Sequence, residues 1–205
     1  MKTINTRRSI RKYSDKEVSE ELLSRLLTEA ARTQTMGNMQ LYSVVVTRSD
    51  EMKAKLAPAH FNQPMVTQAP VVLTICADFN RASTWCRCRK AEPGYDNFLS
   101  FINAASDALL YTQTFCNLAE EEGLGLCYLG TTVYMPQMII DVLGLPKLVM
   151  PVATITLAGP TKIRRSPTAC RSLRLYTARH TTTILLPTST AIMPKKRHLR
   201  RTASS

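Results

Sequence analysis

Thr6-Arg7-Arg8-Ser9-Ile10-Arg11-Lys12-Tyr13 is the stretch from which the rest of the chain can be read. Arg7, Arg8, Ser9 and Arg11 put three guanidiniums and a hydroxyl into five residues. Arginine offers planar, bidentate donors that match a phosphate. Ser14 has the character of a helix N-cap, with Glu17 three residues on as its capping-box partner. Tyr13 and Val18 have the spacing of a hydrophobic staple. The arginines are therefore expected beside an ordered helix. A charge run is often only a solvated surface, and on these eight residues both readings stand.

Working outward, Asp15 to Arg32 reads as an amphipathic helix, with Val18, Leu22, Leu26 and Ala30 repeating at i+4. The polar loop Thr33 to Gln40 can present amides, hydroxyls and backbone groups to a ligand, or simply satisfy itself. A valine-rich strand follows from Leu41 to Thr47, then a short helix from Ser49 to Ala57 closed by Pro58. His60 to Pro64 reads as a turn, and Val71 to Ala77 as a strand buried on both faces. Residues 80–96, with Trp85, Cys86 and Cys88, read as an irregular excursion.

Asn97 to Glu122 is the longest expected helix. It is apolar around most of its circumference, which suits a core or a dimer interface, and Gly123 is its natural C′ residue. Gly123 to Gly130 reads as a strand whose glycines admit a flat ligand or another backbone. It lacks the strand and helix that would make a dinucleotide fingerprint. Pro136 starts a helix that Gly144 ends, and Val149 to Leu157 is a last strand. Helices and strands alternate, as in an α+β or α/β domain.

Composition narrows the class. The 205 residues, 44% hydrophobic, are enough for one domain with a sizeable core. No apolar run approaches the roughly 20 residues of a membrane span, and no signal-peptide stretch precedes the arginines. The six cysteines lack zinc-ligand spacing and read as free thiols in a reducing cytoplasm, with Cys76 and Cys116 in the core. His60, His180 and His198 are too scattered for a metal site and read as surface residues. The net charge of +12 is uneven. Residues 1–160 hold 16 basic and 15 acidic side chains; residues 161–205 hold 11 basic and none acidic. The body is nearly neutral, and the tail has only Tyr176 to interleave with its charges. Nucleic acid is therefore disfavoured as a partner.

Taken together, these segments resemble the nitroreductase family of FMN-dependent oxidoreductases. The likeness rests on Arg7-Arg8-Ser9-Ile10-Arg11, on the Thr35, Asn38 and Gln40 loop, on Asn62-Gln63-Pro64 ahead of Ala69-Pro70-Val71, and on Glu92 to Phe98. Gly123-Leu124-Gly125 to Gly130, followed by Leu143-Gly144-Leu145-Pro146, completes it. The resemblance implies an α+β fold with a central mixed or antiparallel sheet flanked by helices, and a long core helix at a homodimer interface. It implies FMN between the subunits and NAD(P)H as electron donor, with a nitroaromatic, quinone or similar small molecule as acceptor. Arg7, Arg8, Ser9 and Arg11 would hold the phosphate and ribityl end. Thr35, Asn38, Gln40 and Gln63 would bond the ribityl and ring edges, and Leu129 and Gly130 would let the ring lie against backbone. No side chain need act as acid or base, because the hydride chemistry is the flavin's, and no metal ligands are expected.

The resemblance covers residues 3–160, a nitroreductase-like FMN-binding domain, and fails beyond Gly159. Residues 161–205 read as a basic tail without packed structure, since so few apolar residues cannot offset ordering entropy. The genetic code offers a specific cause. Regrouping each codon's third base with the next two allows Pro160 onward to be re-read with acids, aromatics and a family-like tail. A frameshift near Ala158 to Pro160 is the favoured explanation, ahead of a solvated basic tail or a nucleic-acid arm. For function, the alternatives are a basic-tailed nucleic-acid-binding protein and a degenerate family member that binds flavin poorly.

Overall fold

The computed structural model describes residues 7–14, 17–94 and 96–159, with the backbone of two short strands beyond them. The chain divides into two units, Met1–Lys162 and Ile163–Ser205. Along the first unit run α1 (Glu20–Ala30), β1 (Tyr42–Thr47), α2 (Asp50–Leu56), α3 (Pro64–Gln68), β2 (Val71–Asp78) and α4 (Asn80–Cys88). They are followed by α5 (Phe98–Glu121), β3 (Gly125–Leu129), α6 (Pro136–Leu143) and β4 (Val149–Ala158). The four strands form one sheet in the order β1-β2-β4-β3, and every pairing is antiparallel.

Alternation along the strands separates two cores. Leu73 and Ile75 of β2 and Ile155 and Leu157 of β4 face α1 and α5, where Leu23, Leu26, Tyr111 and Phe115 meet them. The other face carries Cys127 and Leu129 of β3, covered by Leu56, Val66 and Ile139 from α2, α3 and α6. Helices thus layer both faces, and the middle strand β2 is buried along its whole length. This agrees with the expected α+β architecture, with a sheet that is antiparallel rather than mixed among the described strands.

Several boundaries follow the expected punctuation. Gly123 (φ 75°) donates to the Glu120 carbonyl and Leu124 to that of Ala119, the paired bonds of a Schellman motif ending α5. Pro136 opens α6 and Gly144, at φ 62°, closes it. Cys76 and Cys116 are buried, and burial pushes both thiols up to about 12.

Other expectations are corrected. Among the described residues the first helix begins at Glu20, and the N-cap of that helix is Ser19, whose hydroxyl accepts from Leu22 N–H at 3.2 Å, rather than Ser14. Glu20 and Glu21 place negative charge in the first turn, where the helix dipole favours it. The staple then pairs Val18 with Leu23 by position, both in the core, while Tyr13 is used elsewhere. The excursion over 80–96 contains the helix α4. Asp78 Oδ1 caps it by accepting from Arg81 N–H at 3.0 Å, and its buried side is small, with Ser83 and Ala82 inward. The expected His60 to Pro64 turn is present at Phe61 and Asn62, between a 3-10 segment, Ala57–His60, and α3.

In the second unit the described backbone is a pair of three-residue antiparallel strands, β5 (Arg174–Tyr176) and β6 (Thr183–Leu185), with Leu175 opposite Ile184. The rest of the tail expectation lies outside the described residues.

Candidate functional site

The arginine segment lies along the free edge of β3. Ile10 N–H donates to the Leu126 carbonyl at 2.8 Å, adding the segment to the sheet at that point. The Ile10 side chain fills the space over Gly125, where an added Cβ would meet Ile10 Cγ2 at 2.9 Å. Gly125 is therefore a glycine because another segment must lie on it. The Tyr13 hydroxyl is hydrogen-bonded to Thr156 Oγ1, and burial pushes the Tyr13 phenol up to about 12.

The side chains of this segment turn toward β3 and α5. Arg7 Nε is 3.4 Å from Glu120 Oε1. Burial raises the Glu120 carboxyl, and Arg7 opposes that shift. Arg11 hydrogen-bonds Cys127; burial raises that thiol, and the Arg11 and Arg7 charges oppose it. Arg8 is half-buried, while Ser9 and Arg11 are exposed. The result is a concentrated positive edge held by backbone, phenol and carboxylate contacts.

At the other end of β3, Leu129 turns into the second core and Gly130 is exposed, with nothing within 4 Å of where its Cβ would stand. Gln63 precedes α3 and makes no side-chain cap bond there. The 3-10 segments Ala57–His60 and Gly130–Val133 are joined by His60 Nδ1 and Thr131 Oγ1, 2.9 Å apart. His60, expected at the surface, is fully buried, and burial lowers its pKa to about 4. A lone histidine in a turn-prone stretch carries no sequence signal for this. The structure thus gathers Gln63, Leu129 and Gly130 at the end of the strand whose start carries Arg7 to Arg11.

Thr35, Asn38 and Gln40 lie elsewhere. Their loop takes left-handed backbone at Gly37, Asn38 and Gln40, with φ of 55°, 54° and 54°. One buried carboxylate holds it: Asp107 of α5 accepts from Met36 N–H at 2.8 Å and from Leu41 N–H at 3.2 Å. Gln40 N–H donates to Thr35 Oγ1 at 3.4 Å. Asp107 is a positioning residue that the sequence reading missed. The available signal was its isolation, as the single charged residue between Asp96 and Glu120.

Strand register fixes the relation of the two groups. Tyr42, just after the loop, is level with Ala77 and, through it, with Met150; Gly125 is level with Ala158. The loop and the arginines therefore occupy diagonal corners of the sheet, roughly 25 Å apart from strand spacing and rise. One chain does not bring the amides to the arginines. Among the described residues no group of three His, Cys, Asp or Glu could hold a metal ion.

Residues 4–159 match the nitroreductase family. The chain belongs to the nitroreductase family. It is 32% identical over 167 residues to the FMN reductase (NAD(P)H) of Bacillus subtilis (strain 168), covering 78% of this chain and 65% of that one. Against the CR(VI) reductase of Pseudomonas sp. (strain G-1) it is 27% identical over 154 residues, covering 75% and 63%. Of these two curated relatives the chain spans just under two thirds of the length. A solved protein of Bacteroides fragilis NCTC 9343 superposes with a TM-score of 0.80 at 58% identity, over 84% of this chain and 70% of that one. The NfrA1 nitroreductase of B. subtilis superposes with a TM-score of 0.78 at 26% identity, over 82% and 69%. Both superpositions show that the body of this chain shares its fold with these solved structures.

Proposed function

We propose that this chain is an oxidoreductase that holds FMN, takes electrons from NAD(P)H, and reduces nitroaromatic, quinone or similar acceptors. The observation that carries the reading is the arginine segment fixed on the β3 edge, with the open Gly130 at the far end of the same strand. The donor set suits this cofactor. Arg7, Arg8, Ser9 and Arg11 offer charge-assisted donors for a phosphate. Gly130 leaves room for a flat ring against backbone, and Gln63 has an amide not spent on capping. When bound, FMN supplies the hydride and electron transfer. The chain's own part is to bind and orient, and no side chain is assigned as acid or base. Purified protein should be yellow, with flavin absorbance, and should oxidise NAD(P)H when a quinone or nitroaromatic is supplied. Colourless protein that takes up no added FMN would refute the reading.

The same reading makes the working unit a homodimer, with Thr35, Asn38 and Gln40 reaching the cofactor held by the other copy's arginines. Their placement at diagonal corners of one chain supports this, and so does α5. Phe98, Leu99, Ile102, Leu109 and Leu110 are all exposed and fall on one side of that helix. An apolar stripe of that length calls for a cover. Among the described residues no helix is long and apolar enough to cross a membrane. The five described cysteines are all free, which supports a reducing, cytoplasmic setting.

Residues 161–205 are proposed to be out of frame. The family match stops at residue 159, and residues 161–205 hold 11 basic side chains and none acidic. Resequencing codons 155–165 tests this directly; an unchanged reading frame would refute it.

A further inference from the structure

Two aromatic side chains stand exposed where the chain gathers Gln63, Leu129 and Gly130. Phe61 is 57% exposed and Tyr134 is 71% exposed. Their ring centroids are 6.0 Å apart and their planes are inclined at 55°, so the pair forms an open wedge. Phe61 lies two residues before Gln63, and Tyr134 four after Gly130.

The wedge is built, not loose. Phe61 and Asn62 both hold left-handed backbone, with φ of 54° and 53°, which is unfavourable for a residue with a side chain. Backbone bonds fix that shape: Phe61 N–H to Pro58 O at 3.0 Å, Asn62 N–H to Ala57 O at 2.8 Å, and Tyr134 N–H to Thr131 O at 3.0 Å. The buried contact of His60 with Thr131 ties the two carrying segments together. Burial keeps that imidazole neutral, so the tie does not change around neutral pH. A strained backbone that holds a large aromatic ring in water calls for a use outside the core.

We propose that Phe61 and Tyr134 form the platform on which a flat aromatic electron acceptor docks. A ring stacked on one member is tilted to the other, the offset-stacked and edge-to-face combination that aromatic groups favour. Continuity with Gln63 and Gly130 commits the wedge to a small acceptor at the flavin. The inference rests on the flavin oxidoreductase reading given above.

The test uses the full-length, flavin-loaded enzyme with two acceptors, 1,4-benzoquinone, which has a flat ring, and ferricyanide, which has none. The variants are Phe61→Gly, Tyr134→Ala and the double substitution. The double variant should raise KM for the quinone by about tenfold, the scale of a lost aromatic pair. Flavin content and the ferricyanide rate should stay unchanged. Phe61→Gly should be as thermally stable as the parent or more so, because glycine accepts the left-handed backbone, which separates lost docking from misfolding. Phe61→Trp with Tyr134→Phe should keep the quinone KM. An unchanged quinone KM in the double variant would overturn the platform and leave the flavin reading intact. A loss shared with ferricyanide would also overturn it, by assigning the pair to holding the flavin. A parent enzyme that neither binds FMN nor oxidises NAD(P)H would overturn the reading beneath it.

Discussion

His60 is the residue whose environment departs most from its sequence neighbourhood. Polar and turn-prone neighbours suggest a surface histidine, yet the ring is sealed between two 3-10 segments and bonds Thr131. Its folded pKa, about 4, lies below the ordinary value of 6.5. The unfolded chain therefore takes up the proton first. The stabilisation is fully present above pH 6.5 and is lost as pH falls from there toward 4, by about 3 kcal/mol. Thermal melts across that window should show the loss, and His60→Gln should flatten it. A slope that survives in His60→Gln would mean another group titrates. The arginines, by contrast, were open to two readings from residue type, a phosphate site or a solvated run, and β3 holds their backbone in place. Arg7→Ala or Arg11→Ala should weaken FMN binding by about 1.5–3 kcal/mol, as for a hydrogen bond to a charged group. Fluorescence titration giving the parent affinity in both variants would remove them as anchors.

At the scale of elements, legibility followed the strength of local chemistry. Proline and glycine marked both ends of α6, because φ restriction and left-handed backbone leave few alternatives. The start of α1 was misread because Ser14 and Ser19 are each followed by carboxylates, and only packing of Val18 against the sheet selects the second. Ser19→Ala should then cost about 1 kcal/mol in a denaturation experiment. The helix α4 was missed because its arginines mask a buried side made of small residues. Gly125 was legible as a close-approach glycine, but not what approaches it. Gly125→Ala should clash with Ile10, loosen the arginine segment and lower FMN affinity while the fold stands. Faster hydrogen exchange at the Ile10 amide would mark that loosening; unchanged exchange and affinity would contradict it.

The whole molecule is where sequence reading reached least far, because it depends on which strands are neighbours. Thr35, Asn38 and Gln40 were recognised as ligand-competent, and so were Arg7 and Arg11. Only the order β1-β2-β4-β3 shows that they sit at diagonal corners of one sheet. A site made of both groups then needs a second chain, and the exposed stripe on α5 offers a surface to receive it. Leu109→Glu should push sedimentation toward monomer and reduce flavin occupancy together. Subunit complementation tests the shared site most directly. One chain carries Arg7→Ala with Arg11→Ala, a second carries Asn38→Ala with Gln40→Ala, and each alone should fail to retain FMN. In the purified heterodimer, sites shared between copies leave one site intact and the other doubly broken, so occupancy should return to about one flavin per dimer. A heterodimer as empty as its two parents would contradict a site built across two chains.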